Sequence, residues 1–279
     1  MSRIYEALRK LESERRPAGV PESNPTEASL LQNVFPETVG LGAVPSVEIK
    51  VSGSSRLVSL AAPESLGAEK FRALATRLEN LRNRRELQSL QVTSSVAHEG
   101  KTLVSANLAL TLAQNPALKV LLVEGDLHTA ALGPLMGVAG LHGITHWWAS
   151  RDSELTSALC KTVDLPLWFL PAGSRCEQPS NILQSARFAE ALVRLFSLFE
   201  WVIVDSPPLL PFVDANLWSR LLDGTLLVVR EGVASVKALK KGIEAIDNLN
   251  LLGVVLNDAS ETEDQDYKDR YYYVRESKE

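Results

Sequence analysis

The sequence predicts an α/β fold, a doubly wound and mostly parallel sheet with a phosphate-binding loop, preceded by an N-terminal helix and linker and followed by a mobile C-terminal tail. Short runs that are apolar on both faces alternate with segments of helical periodicity, as they do in βαβ units. One such run leads into Gly-Lys-Thr at residues 100–102, at the start of a helical segment. Carboxylates follow two further runs.

The individual elements follow from the same patterns. Buried strands are predicted at six short runs, 88–93, 119–123, 166–170, 201–205, 224–229 and 251–256; all but the first are mostly apolar, and the first carries Leu90 and Val92 between polar residues. Helices are predicted where apolar residues recur with helical spacing, from about residue 62 and near 101–114, 181–199, 213–222 and 235–249.

Four segments are predicted along the chain. Residues 1–16 carry apolar residues at helical spacing and are interpreted as a short docking helix, which alone would be marginally stable. Residues 17–54 are rich in Pro, Ser, Glu and Asn, which predicts a linker. Residues 55–258 form the predicted phosphate-loop domain. Residues 259–279 are too charged to form a core, so we expect a flexible tail.

Composition restricts the function classes. A net charge of -5 with no basic cluster argues against general nucleic-acid binding. The two cysteines, Cys160 and Cys176, form no CxxC pair, which favours a reducing compartment. No apolar run approaches the ~20 residues of a transmembrane helix, so a cytoplasmic protein is expected.

The stretch "TSSVAHEGKT", residues 93–102, fits the phosphate-loop pattern GxxxxGK[ST] except that Ser95 replaces the first glycine. In this interpretation Lys101 contacts the β and γ phosphates, Thr102 ligates Mg²⁺, and backbone amides surround the anion. The alternative is an ordinary strand-to-helix turn. The predicted nucleotide-binding segment comprises Ser95, Val96, Ala97, His98, Glu99, Gly100, Lys101, Thr102 and Leu103.

Three carboxylates end other predicted strands. Glu124 and Asp126 finish "KVLLVEGD", and Asp205 finishes "EWVIVD". The carboxyl ends of parallel strands meet at one edge, where open α/β sheets bind ligands. A single acidic residue there is often a helix cap. Three of them together with the Gly-Lys-Thr loop favour a Mg²⁺-nucleotide site.

The order of "TSSVAHEGKT", "VLLVEGDLH", "LPAGSRCEQPSNILQSARF", "WVIVDSPPLLPFVDA" and "LLGVVLN", ending in a tyrosine cluster, resembles the bacterial tyrosine kinases of exopolysaccharide synthesis. These BY-kinases are related to the MinD and ParA P-loop ATPases, and the resemblance covers residues 55–279. It implies an ATP- and Mg²⁺-dependent protein-tyrosine autokinase. The implied catalytic residues are Lys101, Glu124, Asp126 and Asp205, and the implied metal ligands are Thr102, Asp126 and Asp205.

Further functions are implied by the same resemblance. Asn257 is the implied adenine contact, with a simple turn residue as the alternative. Glu69 and Arg72 match an oligomerisation motif ExxRxxR whose last position is here Ala75, although Arg77 could compensate. The alternative is an exposed helix face with local ion pairs.

The implied partners are a second copy of the chain, a phosphotyrosine phosphatase, and the cytoplasmic segment of a membrane-anchored polysaccharide co-polymerase. "MSRIYEALRKLE" looks like the start of the freestanding cytoplasmic members of the family. This resemblance places the protein at the periphery of the inner membrane through its partner.

Several positions depart from the family pattern. Ala97-His98 replaces Pro-Gly, and the second motif Asp-x-Asp-x-Arg has become Glu124-Gly125-Asp126-Leu127-His128. The first carboxylate is the family's proposed proton acceptor, and glutamate carries one extra methylene. Two alternatives therefore stay open: a catalytically weakened nucleotide-binding regulator or scaffold, and a MinD-like ATPase. The loop lacks the lysine near its start that marks the MinD class.

The C-terminal tyrosines are the last functional signal. Four of the five tyrosines lie in the final thirteen residues, namely Tyr267, Tyr271, Tyr272 and Tyr273. Aromatic residues are normally depleted in a disordered tail, so we predict autophosphorylation at these positions. About 14 residues separate Asn257 from Tyr271, enough to span up to ~46 Å and reach a neighbour's site. A merely tolerated aromatic tail is the alternative.

Overall fold

A computed structural model of the chain describes residues 41, 44–50, 55–138, 140–246 and 251–259. The predicted docking helix, most of the predicted linker and the tail from residue 260 lie outside these residues, so these three segments stay predictions. No helix in the described part of the chain combines the length and the apolar character needed to cross a membrane.

Eight strands of the described residues form one sheet, and its strand order is β1-β4-β5-β3-β6-β2-β7-β8. Every neighbouring pair is parallel except β4 and β5, which are antiparallel. The strands are β1 Ser46–Val47, β2 Ser89–Ser94, β3 Val120–Glu124, β4 Cys160–Thr162, β5 Leu167–Leu170, β6 Trp201–Asp205, β7 Gly224–Arg230 and β8 Leu251–Asn257. All six predicted strands are present, and the predicted fold class is confirmed.

Nine α-helices and one 3₁₀ turn connect the described strands. They are α1 Val58–Ala61, α2 Leu66–Arg82, α3 Lys101–Leu112, α4 Leu132–Leu135, α5 Ile144–Ala149, the 3₁₀ turn Leu155–Ala158, α6 Pro179–Leu183, α7 Ala186–Phe196, α8 Asp214–Leu221 and α9 Val236–Ala245. The helix predicted at 181–199 is divided into α6 and α7. Ser185 causes the division, because its side chain accepts a hydrogen bond from the Phe188 N–H and so caps a new helix.

Two hydrophobic layers cover the faces of the sheet. Strand β6 contributes to both, because Val202 and Val204 point into one layer while Trp201 and Ile203 point into the other. This explains why its sequence is continuously apolar rather than alternating. Helices α7 and α8 cover the first face and helices α2 and α3 cover the second.

The sheet order positions the candidate site. Strands β3, β6 and β2 are neighbours and run parallel, so their carboxyl ends lie side by side. In this register Glu124 pairs with Asp205, and Val92 of β2 also pairs with Asp205. The loops that follow the three strands therefore meet at one edge, as predicted for an open α/β sheet.

Candidate nucleotide site

The phosphate loop lies between β2 and α3, and two of its residues have left-handed backbone conformations. His98 has φ 66° and Gly100 has φ 94°. A Cβ added to Gly100 would stand 2.1 Å from Nδ2 of Asn257, so the Asn257 side chain would have to move, and the left-handed conformation independently favours glycine. His98 is exposed and occupies the left-handed region that a non-glycine residue enters less readily.

Glu99 and Asn257 hold the base of this loop. The Glu99 side chain is fully buried, and its carboxylate accepts hydrogen bonds from the Val96 N–H at 2.9 Å and the Arg230 N–H at 3.4 Å. The Asn257 amide donates to the Glu99 carbonyl oxygen at 2.9 Å. The loop is thereby tied to the ends of β7 and β8. Contact of Asn257 with adenine stays a prediction.

Lys101 lies between the predicted catalytic carboxylates. Its Nζ is 3.1 Å from Oδ2 of Asp126 and 3.9 Å from Oδ1 of Asp205. The same ammonium lies 3.4 Å from the Thr102 hydroxyl oxygen. These four side chains, predicted from separate motifs, are brought together at the edge of the sheet.

Asp205 is the most strongly perturbed acid of the site. Burial raises its pKa from 3.8 to about 6, although the positive charge of Lys101 and a hydrogen bond from Thr102 oppose the rise. The neighbouring charges of Asp126 and Glu124 add to it. A buried carboxylate with this environment is stabilised by any additional positive charge placed beside it.

The oxygen atoms of this cluster fit Mg²⁺. Two carboxylates and the Thr102 hydroxyl are hard donors, and Mg²⁺ is typically bound by one or two carboxylates together with substrate phosphates. One Asp126 oxygen, Oδ1, accepts the Thr129 N–H at 3.0 Å, which orients the side chain. No group of three or more His, Cys, Asp or Glu side chains suited to a metal is found in the described residues.

Glu124 makes contacts that its motif does not predict. Its Oε1 accepts hydrogen bonds from the backbone N–H groups of Leu132 at 2.7 Å and Gly133 at 3.2 Å. Its Oε2 accepts the Ala172 N–H at 3.0 Å, and the residue is only 3% exposed. A proton-acceptor function for Glu124 stays a prediction, and both of its oxygens are held by the backbone.

His128 takes the place of the family's arginine and pairs with a residue that sequence reasoning missed. Its Nε2 lies 2.7 Å from Oδ2 of Asp214, and its ring stacks on Phe212 with centroids 4.5 Å apart. Asp214 is buried at the start of α8. An acidic residue in the first turn of a helix is ordinary, so the sequence offers little signal for this pairing.

The predicted oligomerisation residues pair with each other. Arg72 donates to Glu69 through Nε at 2.8 Å and to the Pro63 carbonyl oxygen through Nη1 at 2.9 Å. Ala75, at the third position of the motif, is buried in the core, whereas Arg77 is exposed. The local ion pair predicted as the alternative is therefore present. An interface at Glu69 and Arg72 stays a prediction.

The fold and the loop define the class of the molecule: a P-loop protein built on a mostly parallel sheet. No family model matches the chain. Among curated proteins, CpsD of Streptococcus pneumoniae serotype 4 is 30% identical over 192 residues, which cover 68% of this chain and 83% of that protein. YwqD of Bacillus subtilis is 28% identical over 228 residues, covering 79% and 92%. Both are named tyrosine-protein kinases, and the chain belongs to this bacterial tyrosine-kinase family.

Other relatives and solved structures agree with this assignment. The tyrosine-protein kinase Wzc of Salmonella typhi is 29% identical over 211 residues, but the chain spans only 29% of its length. The chimerical protein CapA2B2 superposes with a TM-score of 0.67 at 28% identity, covering 78% of this chain and 96% of that one. The cell division ATPase MinD of Pyrococcus furiosus has a TM-score of 0.53 at 24% identity over 63% and 74%, which shows a shared fold. The predicted family, fold and enzyme class are confirmed.

Proposed function

We propose that the chain is an ATP- and Mg²⁺-dependent protein-tyrosine autokinase that regulates exopolysaccharide synthesis and export. The observation that carries this proposal is the convergence of Lys101, Thr102, Asp126 and Asp205 at one sheet edge beside a phosphate loop. Membership of the tyrosine-kinase family supports the choice of phosphoryl transfer over other reactions of P-loop proteins.

Catalysis in this proposal rests mainly on positioning and charge neutralisation. The loop amides and Lys101 bind the phosphates, while Thr102, Asp126 and Asp205 hold Mg²⁺ with the nucleotide. When bound, Mg²⁺ supplies positive charge that offsets the phosphate oxygens. Lys101 has to exchange Asp126 for phosphate as its partner, since the two are 3.1 Å apart. Nucleotide binding therefore reorganises the charges of the cluster.

The phosphate acceptors in this proposal are Tyr267, Tyr271, Tyr272 and Tyr273 of the tail. Their clustering in the final thirteen residues supports this assignment. Each phosphate adds about -1.5 to -2 charges, which favours departure of the tail from an acidic site. Contact between copies through Glu69 and Arg72 would let one copy present its tail to another.

The proposed partners complete a regulatory cycle. Residues 1–16 dock on the cytoplasmic segment of a membrane-anchored polysaccharide co-polymerase, which brings the protein to the inner membrane, and a phosphotyrosine phosphatase resets the tail. Residues 17–54 act as the linker between the docking helix and the kinase domain of residues 55–258.

Peptide mass spectrometry tests the proposal. After incubation with ATP and Mg²⁺, phosphate is expected on the C-terminal peptide that contains Tyr271, Tyr272 and Tyr273, and the reaction should fail without Mg²⁺. Unmodified tyrosines, both alone and with a co-polymerase's cytoplasmic segment present, would rule out the autokinase.

A nucleotide-binding regulator without kinase activity is the second candidate. Two observations favour it: His98 adopts φ 66° where the family has glycine, and both Glu124 oxygens are engaged by backbone amides. Calorimetry that shows tight ATP binding with no phosphotyrosine would select this candidate. Release of inorganic phosphate without tyrosine modification would instead select a MinD-like ATPase.

A further inference from the structure

The Glu124 side chain connects two loops of the catalytic edge. Leu132 and Gly133 begin α4, directly after the loop that carries Asp126 and His128. Ala172 belongs to the segment between β5 and α6, on the other side of the carboxylate. One buried side chain therefore bridges segments that are eight and 48 residues away in sequence.

The second of these segments is itself tied to a helix. The Ile144 N–H donates to the Pro171 carbonyl oxygen at 2.9 Å, and the Thr145 N–H donates to that of Ala172 at 3.0 Å. The start of α5 is thus attached to the residues that Glu124 holds. Displacement of the Glu124 carboxylate would remove the hydrogen bonds that connect the start of α4 to the segment on which α5 is attached.

The residue after Glu124 shows how little freedom this part of the chain has. The Gly125 N–H donates to the Asp205 carbonyl oxygen at 2.8 Å, and the Gly125 carbonyl oxygen accepts the Trp218 indole N–H at 3.0 Å. A Cβ on Gly125 would stand 2.7 Å from a methyl group of Val204. The side chain of Glu124 and the backbone of Gly125 are both held by hydrogen bonds. The path of the backbone from the end of β3 to Asp126 is thereby restricted.

The same contacts leave Glu124 badly placed to accept a proton. A general base has to come within about 2.6–3.2 Å of the proton that it removes. A carboxylate has about four lone-pair sites, and three of those on Glu124 accept backbone N–H groups. The carboxylates of Glu124 and Asp126 are similarly buried, but Oδ2 of Asp126 contacts the Lys101 ammonium, whereas both oxygens of Glu124 contact backbone amides.

We propose that Glu124 is a positioning residue that holds the Asp126 loop and the β5–α6 segment together, rather than the proton acceptor of the reaction. An aspartate at this position would carry its carboxylate on a side chain one methylene shorter, further from amides that Glu124 contacts at 2.7–3.2 Å. Only the autophosphorylation measurement depends on the proposed kinase function. Amide hydrogen exchange in the two loops and the affinity for nucleotide can both be measured without phosphoryl transfer.

The test compares Glu124→Asp and Glu124→Gln in the full chain, with the exposed Glu154→Gln as a matched control. If Glu124 is a positioning residue, both substitutions weaken the hydrogen bonds between its carboxylate and the backbone amides. The loss of one such bond changes an equilibrium constant about tenfold. We expect amide hydrogen exchange at Leu132, Gly133 and Ala172 to accelerate about tenfold or more in both variants. We also expect Mg²⁺-ATP to bind more weakly, and any remaining autophosphorylation to keep the wild-type pH profile.

A proton acceptor gives a different pattern. Glu124→Asp would then preserve or raise autophosphorylation, and Glu124→Gln would abolish it with unchanged exchange and ATP affinity. That result overturns the proposal. If Glu124→Gln does not fold, Glu124→Asp alone tests the proposal. Faster amide hydrogen exchange in this variant supports a positioning function, and unchanged exchange contradicts it. If the wild type has no kinase activity, the proposed function fails, while exchange and ATP affinity still decide the function of Glu124.

Discussion

Asp205→Asn should make the nucleotide-free protein more stable at neutral pH while it destroys Mg²⁺-dependent nucleotide binding. Burial raises the pKa of Asp205 from 3.8 to about 6. Because the folded protein favours the protonated form of Asp205, ionisation of this side chain lowers the free energy of unfolding. The loss develops as the pH rises from about 4 to about 6. At about 1.4 kcal/mol per pKa unit, it reaches on the order of 3 kcal/mol at neutral pH.

Asparagine resembles the protonated carboxyl group in size and charge, so it should recover most of that cost. Urea unfolding at pH 7.5 is expected to show an increase of about 1–3 kcal/mol in the free energy of unfolding. Near pH 4 the wild type is itself protonated at Asp205, and the gain should shrink. The exposed Asp152→Asn serves as the control for a change in net charge. A variant that is no more stable than the wild type at pH 7.5, or equally stabilised at both pH values, refutes the reasoning.

The remaining predictions concern the loop and the tail. Lys101→Ala should abolish ATP binding in calorimetry while the domain stays folded, with a lower thermal stability at neutral pH because Asp126 and Asp205 lose their positively charged partner; unchanged affinity would exclude the loop. Gly100→Ala should destabilise the protein by about 1–2 kcal/mol and weaken ATP binding, because Gly100 has φ 94° and an added methyl group would meet Asn257. Gly140→Ala is the control: Gly140 also has a left-handed φ of 70°, but an added methyl group there meets no other atom. If the two variants bind ATP equally well, the Asn257 contact is unimportant. Phenylalanine at Tyr267, Tyr271, Tyr272 and Tyr273 together should remove tyrosine phosphorylation and leave ATP affinity unchanged; persistent phosphorylation would place the acceptors elsewhere.

The site could be located from sequence because its motifs follow buried parallel strands. The short runs at 88–93, 119–123 and 201–205 identified β2, β3 and β6, and the rule that ligands bind at the carboxyl ends of such strands placed Lys101, Asp126 and Asp205 together. Strands β1 and β4 were missed since they are two and three residues long, too short for a periodic pattern. The break before α7 depends on one capping serine within a continuous helical pattern.

Tertiary contacts between segments that are distant along the chain could not be predicted from the sequence. The motif of Glu124 indicates a carboxylate at the catalytic edge, but the Ala172 amide that binds it lies 48 residues away. The Glu99 carboxylate reaches the Arg230 N–H across 131 residues, and His128 meets Asp214 across 86. Such partners depend on how the loops pack above the sheet, which no local pattern encodes.

Intact-mass spectrometry of the full chain before and after incubation with ATP and Mg²⁺ tests the autokinase assignment most directly. Added phosphate is expected on the wild-type protein, up to the number of tail tyrosines, and none on Lys101→Ala measured in parallel. A wild-type mass that does not change, either alone or with a co-polymerase's cytoplasmic segment present, although calorimetry shows that the same sample binds ATP, would contradict the assignment.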